Sequence, residues 1–446
     1  MRFINPLILF ILISSCSENV KKSSPDTNEV DAVGEFVMNE QIDSDINQLA
    51  NHPKIKEAFS YIEENDPKTI EDLILLTGIE APPFKEQVRG VKYAEMLSAE
   101  GLDSVWTDEI GNVLGLRKGR RGNKVLVLAA HLDTVFPEGT PVKVKQQGDT
   151  LYAPGVADDT RGLVTLLAIL RAMNASNIVT EGDILFVGDV GEEGIGDLRG
   201  IKHLFREGGP KIDAFISVDG TGNEKVTNGG LGSHRYRITF KGPGGHSWGA
   251  FGLGNPHHAL GSAIKYFTDE ADKFTSTGPK TSYNIGRIGG GTSVNSIPFE
   301  SWMEVDMRSE SPEQLVGIDS ILQRSVRKGL KEQNDILRSG RPLRVDVKMI
   351  GDRPSGETPT EEGLVQMAWA STKVIGSKPS LRIGSTDSNV PISLGIPAVT
   401  LGGGGIGKGA HSLGEYFVNK DGHLGIQRVM LVVIGYTGLA SEINNL

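Results

Sequence analysis

The sequence contains one cysteine in 446 residues. That excludes any intramolecular disulfide, a disulfide framework, and a zinc or iron–sulfur site built on several thiolates. Positive charge is also scarce: 46 Lys and Arg face 56 Asp and Glu, for a net charge of −10. Phosphate backbones need a basic face, so nucleic acid is excluded as a partner. Long apolar runs are missing too. The stretch Leu7–Ile13 is far below the roughly 20 residues that span a bilayer. Hydrophobic content of 38% against 23% charged residues describes a globular chain. Glycine is the residue in excess, 57 in all and clustered without a collagen period, against a usual share of about 7%.

Arg2, the apolar run Leu7–Ile13 and the small residues Ser14-Ser15 make a secretory signal. The tetrapeptide Ile13-Ser14-Ser15-Cys16 resembles the lipobox of bacterial lipoproteins. The resemblance implies a signal peptide over 1–15, a lipid on Cys16 as the mature first residue, and an exported protein anchored to a bacterial membrane by that lipid alone. Residues 16–50 are polar with little apolar periodicity, which predicts a flexible tether.

From residue 51 onward, helical patterns alternate with short β-rich apolar runs. Pro53–Glu64, Pro67–Thr77 (stopped by Gly78), Lys85–Glu100, Gly162–Met173 and Ile426–Ile443 read as helices. Asp108–Lys118 reads as a hairpin arm with Gly111 near its turn. Val125–Ala130, Ile184–Gly188, Ala214–Val218 and Ala398–Leu401 suit strands buried on both faces of a sheet. This is α/β architecture. Between 233 and 350 the order becomes βαββαβ, the ferredoxin-like arrangement. The expectation is a catalytic domain in two parts, 51–232 and 351–446, with a second domain inserted between them.

Open α/β sheets place their sites in loops past the carboxyl ends of the strands. Here those loops hold His131-x-Asp133, Asp158-Asp159, Glu192-Glu193, Asp219 and His411. Each is ordinary alone; Asp158-Asp159, for instance, could merely cap the helix that follows. Together they are oxygen and imidazole donors without a thiolate, a set suited to Zn²⁺, Co²⁺ or Mn²⁺.

The constellation resembles the M20 family of metallopeptidases. The match is carried by those five clusters in order, by Glu415-Tyr416, and by Gly395-Ile396-Pro397. In the insertion, Gly244-Gly245-His246, the run Gly289-Gly290-Gly291-Thr292 leading to Asn295 and Ile297-Pro298, and Asp306-Met307-Arg308-Ser309 resemble the family's lid motifs. The resemblance spans about residues 55–443. It implies a mixed-sheet zinc-exopeptidase catalytic domain with an inserted lid or dimerisation domain. It further implies two divalent ions, zinc first and cobalt or manganese as alternatives, held by His131, Asp158, Glu193, Asp219 and His411, with Asp158 bridging. Asp133 would hydrogen-bond His131, and Glu192 would be the general base for a metal-bridging hydroxide. His246 would donate to the oxyanion, and Asn295 and Arg308 would hold the substrate. In dimeric members the lid histidine reaches the partner's site, so a homodimer is among the expectations.

The charges are consistent with this. Two dications are balanced by Asp158, Glu193, Asp219 and a hydroxide, and a neutral first shell suits a partly buried site. Two departures stand out: Thr160-Arg161 follow the aspartates where many members carry lysine, and Asp219 stands where others carry Glu. Within the family the Asp form resembles the aminopeptidase and tripeptidase branch. The reading is therefore an exopeptidase on short peptides. The alternatives are a carboxypeptidase or N-acyl-amino-acid amidohydrolase of the same family, a catalytically inactive surface binding protein, or an M28-type aminopeptidase, against which the insertion argues.

Overall fold

A computed structural model describes residues 30–31 and 36–441. The expected signal peptide and Cys16 lie outside these residues. Among the described residues, no helix is long and apolar enough to cross a membrane.

The central sheet is mixed. Val125–His131 runs parallel to Asp183–Asp189 on one side and to Ala214–Val218 on the other, and Ala214–Val218 runs parallel to Ala398–Leu401. Val113–Arg117 and Lys225–Gly230 join antiparallel further out. The alternation along Val125–His131 explains its wholly apolar run. Leu126, Leu128 and Ala130 enter the larger core, with Leu163, Leu167 and Ile434 from two buried helices, Thr160–Ala175 and Gly422–Thr437. Val127 and Ala129 enter the smaller core on the opposite face, with Ile201, Leu204 and Phe215. A strand covered on both sides has no polar face until it ends, here at His131. Truncating a fully buried side chain such as Leu128 to alanine would cost about 2–5 kcal/mol.

The inserted domain is a four-stranded antiparallel sheet in the spatial order Thr281–Gly290, Glu300–Ser309, Gly232–Lys241, Arg344–Arg353. Helices Pro256–Thr275 and Pro312–Asp335 cover one face, over Tyr236, Ile238, Phe240, Met303, Val305 and Met307. Asn255 and Ser311 cap these helices by accepting the His257 and Gln314 amides. The βαββαβ order is as the pattern predicts. Its last strand runs to Arg353, three residues past the predicted border at 350.

Three predicted segments are corrected. The tether does not extend to residue 50: Glu40–Ala50 is a helix capped by Asn39. Ile42, Ile46 and Leu49 space an apolar stripe by four and three residues, and Phe36 stacks on Trp369 at 3.9 Å between ring centres. The carboxy-terminal helix spans Gly422–Thr437, earlier than predicted, because Gly438 takes φ 81° and ends it. The hairpin arm from Asp108 begins at its turn: Asp108 Oδ1 accepts the Ile110, Gly111 and Asn112 amides, between strands Ser104–Thr107 and Val113–Arg117.

A small sheet then brings distant loops together. Lys145–Gln147, Thr150–Tyr152, Tyr416–Val418 and Ile406–Lys408 pair antiparallel in that order. It sets the loop leading to Asp158 beside the loop carrying His411. The Gly402–Gly405 run is a close packing device. A side chain at Gly402 would meet the Thr221 carbonyl at 2.4 Å, and one at Gly404 the Gly422 carbonyl at 2.3 Å. Arg161, fully buried, ties this run down through the Gly403 and Gly422 carbonyls at 2.8 and 2.9 Å. That gives the sequence's departure at this position a structural role.

Candidate active site

The loops past the strand ends converge. Asp158 lies between two histidines: Oδ1 is 3.1 Å from His131 Nε2, and Oδ2 is 3.1 Å from His411 Nε2. Glu193 Oε1 is 2.9 Å from the same His411 nitrogen. Ligand atoms of Asp158, Glu193 and His411 fall within 4.8 Å of one another, as do those of His131, Glu192 and Glu193, and of His131, Asp159 and Asp219. The structure thus gathers all five predicted ligands and the predicted base. His411 holds a left-handed backbone, φ 64°, unusual for a histidine and of the kind that clusters at functional sites.

Three buried carboxylates hold these loops, each by accepting three backbone amides. Asp133 accepts from Gly191, Glu192 and Glu193 at 2.9–3.0 Å. Asp159 accepts from His131, Gly162 and Gly220 at 3.1–3.3 Å. Glu415 accepts from Gly155, Ala157 and Asp158 at 2.7–3.0 Å. The role predicted for Asp133 is therefore corrected. His131 Nδ1 lies 3.1 Å from the Asp133 carbonyl oxygen, while the nearer carboxylate oxygen is 3.7 Å away. The ring nitrogen is held by main chain, and the carboxylate shapes the Glu192-Glu193 loop. Asp159 caps Thr160–Ala175, so Asp158 lies between the two histidines while Asp159, beside His131 and Asp219, also builds the turn; the peptide bond between them is cis.

The inserted-domain residues are placed differently. His246 and Asn295 share one exposed corner, where Gly245–His246 pairs with Ser296–Ile297. His246 Nδ1 accepts the Trp248 and Gly249 amides at 3.2 and 3.3 Å, which leaves Nε2–H as the donor. Asn295 Oδ1 accepts from Ser293 at 2.6 Å. Arg308 Nε pairs with Asp306 at 2.9 Å. The structure brings none of the three into contact with the carboxylate–histidine cluster.

A model of the peptidase family M20/M25/M40 matches residues 127–434, more than half of the chain. The chain belongs to this family. Carboxypeptidase G2 from Pseudomonas sp. is 27% identical to it over 238 residues, 52% of this chain and 56% of that protein. The chain thus spans about half the length of the curated relatives it matches. Among solved structures, a tripeptidase from Staphylococcus aureus superposes with a TM-score of 0.68 at 22% identity, covering 83% of this chain and 99% of that one. Aminopeptidase PepT from Bacillus cereus gives 0.67 at 20% identity, covering 83% and 98%. At these identities the likeness to the two structures is one of fold.

Burial and crowded like charges set the electrostatics of this M20 site. Burial, and then the charge of Asp158, pushes Glu193 up to about 8 and Asp219 up to about 7. Hydrogen bonds to Asp158 and Glu193 push His411 up to about 11. Burial opposes charge on His131, yet the Asp158 hydrogen bond and the surrounding carboxylates lift it well above the usual imidazole range. Burial also opposes charge on Asp158, but hydrogen bonds from the two histidines hold it below the usual carboxylate range. At Glu193, Asp219, His131 and His411 these shifts all favour bound protons. Divalent cations on the same oxygen and nitrogen donors would replace them, so the residues fit metal ions.

Two residues went unassigned in the sequence. Glu415 sits in a motif the resemblance quotes, but its amide-accepting role needed the fold. Arg353 gave no signal at all; it ion-pairs with Glu192 Oε1 at 2.8 Å, both side chains buried.

Proposed function

We propose that this M20 chain is a two-zinc exopeptidase that hydrolyses short peptides bearing a free amino terminus. The observation that carries it is the Asp158 carboxylate between His131 and His411, with Glu193 beside it and Asp219 in the adjoining donor group. His131, Asp158 and Asp219 would hold one ion, and Asp158, Glu193 and His411 the other. When bound, such ions acidify a water and polarise a carbonyl. Glu192 takes the water's proton at Oε2, because Oε1 is engaged by Arg353, and returns it to the leaving amine. His246 offers Nε2–H to the developing oxyanion once the inserted domain closes as a lid. Arg308, whose guanidinium forks well onto a carboxylate, would exchange Asp306 for the substrate's, and Asn295 would hold the substrate from the His246 corner.

The match to carboxypeptidase G2 favours one second reading, a carboxypeptidase or N-acyl-amino-acid amidohydrolase with the same cluster. A panel of paired substrates separates the two. Free tripeptides are expected to be cleaved and their N-acetyl forms spared; equal cleavage of both would move the assignment to the second reading. We further propose export and lipid attachment at Cys16, supported by the lipobox-like tetrapeptide. Mass spectrometry of the mature amino terminus should find an acylated Cys16, and an unacylated chain starting elsewhere would end that proposal.

A further inference from the structure

The inserted domain does more than rest beside the catalytic loops; it grips one of them. Its last strand ends in Gly351-Asp352-Arg353. The Asp352 amide donates to Asp197 Oδ1 at 2.8 Å, and Lys202 Nζ reaches both Asp197 Oδ2 and the Asp352 carbonyl, at 2.7 and 2.6 Å. Arg353 Nη1 donates to Glu192 Oε1 at 2.8 Å, and its Nη2 donates to the Glu192 carbonyl. From the neighbouring strand, Arg235 Nη1 reaches the Gly194 carbonyl at 3.3 Å. The loop 191–197 is thus held by Asp133 from within the catalytic domain and by the inserted domain from without.

A guanidinium that binds the carboxylate and the carbonyl of one residue closes a ring over its side-chain torsions. A lysine, with a single point of charge, cannot reproduce that fork. A buried ion pair is weak evidence of stabilisation, since desolvation offsets much of the attraction. What this pair supplies is direction, and an ångström of misplacement in a reacting group can cost about 10²-fold in rate.

We propose that Arg353 is a positioning residue that fixes the Glu192 carboxylate, and that the strand ending in Arg353 transmits the placement of the inserted domain to it. The inference rests on Glu192 acting as the base. The test uses the full zinc-loaded chain on a free tripeptide, with zinc content, kcat and KM measured separately. R353Q should lose roughly 10²-fold in kcat, with KM and zinc content near wild type, and R353K should recover part of the loss. K202M, which cuts the ties to Asp197 and to the Asp352 carbonyl and leaves every proposed ligand in place, should lower kcat several-fold and leave KM unchanged. An unchanged kcat in R353Q, a loss confined to KM, or a parallel loss of zinc would overturn the proposal. Should R353Q fail to fold, R353K carries the test: a lowered kcat supports it and a wild-type kcat overturns it. E192Q separates the two levels. A fully active E192Q would overturn the base assignment itself, whereas an inactive E192Q beside a fully active R353Q overturns only the role of Arg353.

Discussion

The catalytic loops and the exposed corner of the inserted domain solve opposite problems. Around Asp158, buried carboxylates accept main-chain amides in threes, so the loops are fixed before any ligand arrives. In the inserted domain the polar groups bond to near neighbours instead: at the exposed corner His246 Nδ1 takes two local amides and Asn295 bonds Ser293, and at the far end of its strand Arg308 pairs with Asp306. The first arrangement suits metal ligands, which must be held in place before binding. The second suits groups that meet the substrate only after a domain moves, as lids do. On the proposed mechanism, one half of the site is built and the other half would be delivered.

Removing a ligand attacks the built half most severely. D158A should lose the bridge between the two sites, with metal content below wild type in elemental analysis and peptide hydrolysis falling to background. E192Q should keep its metal and lose roughly 10²–10⁴-fold in kcat; a loss of metal instead would make Glu192 a ligand. H246N probes the delivered half, and should lower kcat by roughly 10²-fold, the scale of a lost oxyanion donor, with metal content unchanged. If H246N released metal, the division into two halves would fail. E415Q and D133N each weaken one amide clamp and should cost roughly 10–100-fold in metal affinity, read by competition with a chelator.

The smallest effect is on stability against pH. In the metal-free chain, burial lifts Glu193 to about 8 and Asp219 to about 7, and hydrogen bonds lift His411 to about 11. Each group then binds more protons folded than unfolded at neutral pH, so stability falls as pH rises. For the carboxyls the fall begins above their unfolded values near 4 and runs to their folded ones; for His411 it begins near 6.5 and continues to about 11. The melting temperature of the metal-free chain should therefore drop from pH 5 to pH 8. Zinc should remove most of that slope, and a slope unaffected by zinc would place the ions elsewhere.

The candidate donors are legible in the sequence because buried parallel strands announce themselves as apolar runs, and polar residues at or past their ends are conspicuous; their assignment as metal ligands comes from the family resemblance. His131 ends such a strand, and Glu192, Glu193 and Asp219 follow others. The βαββαβ insertion was legible for the same reason of pattern. Supporting residues were not. Glu415 acts on amides near residue 157, across an antiparallel pairing with Thr150–Tyr152 that no local pattern encodes. The resemblance implies a bond from Asp133 to His131, two residues away; the fold instead turns the Asp133 carboxylate to the 191–193 amides. Arg353 sits where the chain re-enters the catalytic domain, and only the return of that strand brings it to Glu192. The polar stretch before residue 51 hides a helix whose three apolar residues line one cavity with Met367 and Ile434, far along the chain.

The central claim is that the carboxylate–histidine cluster holds two divalent ions and hydrolyses peptides with them. It is tested most directly by titrating zinc into the metal-free full chain while following cleavage of a free tripeptide. Activity should be absent at the start, rise with added zinc and level off at two ions per chain. Full activity without metal, or two bound ions with no cleavage of any peptide, would contradict it.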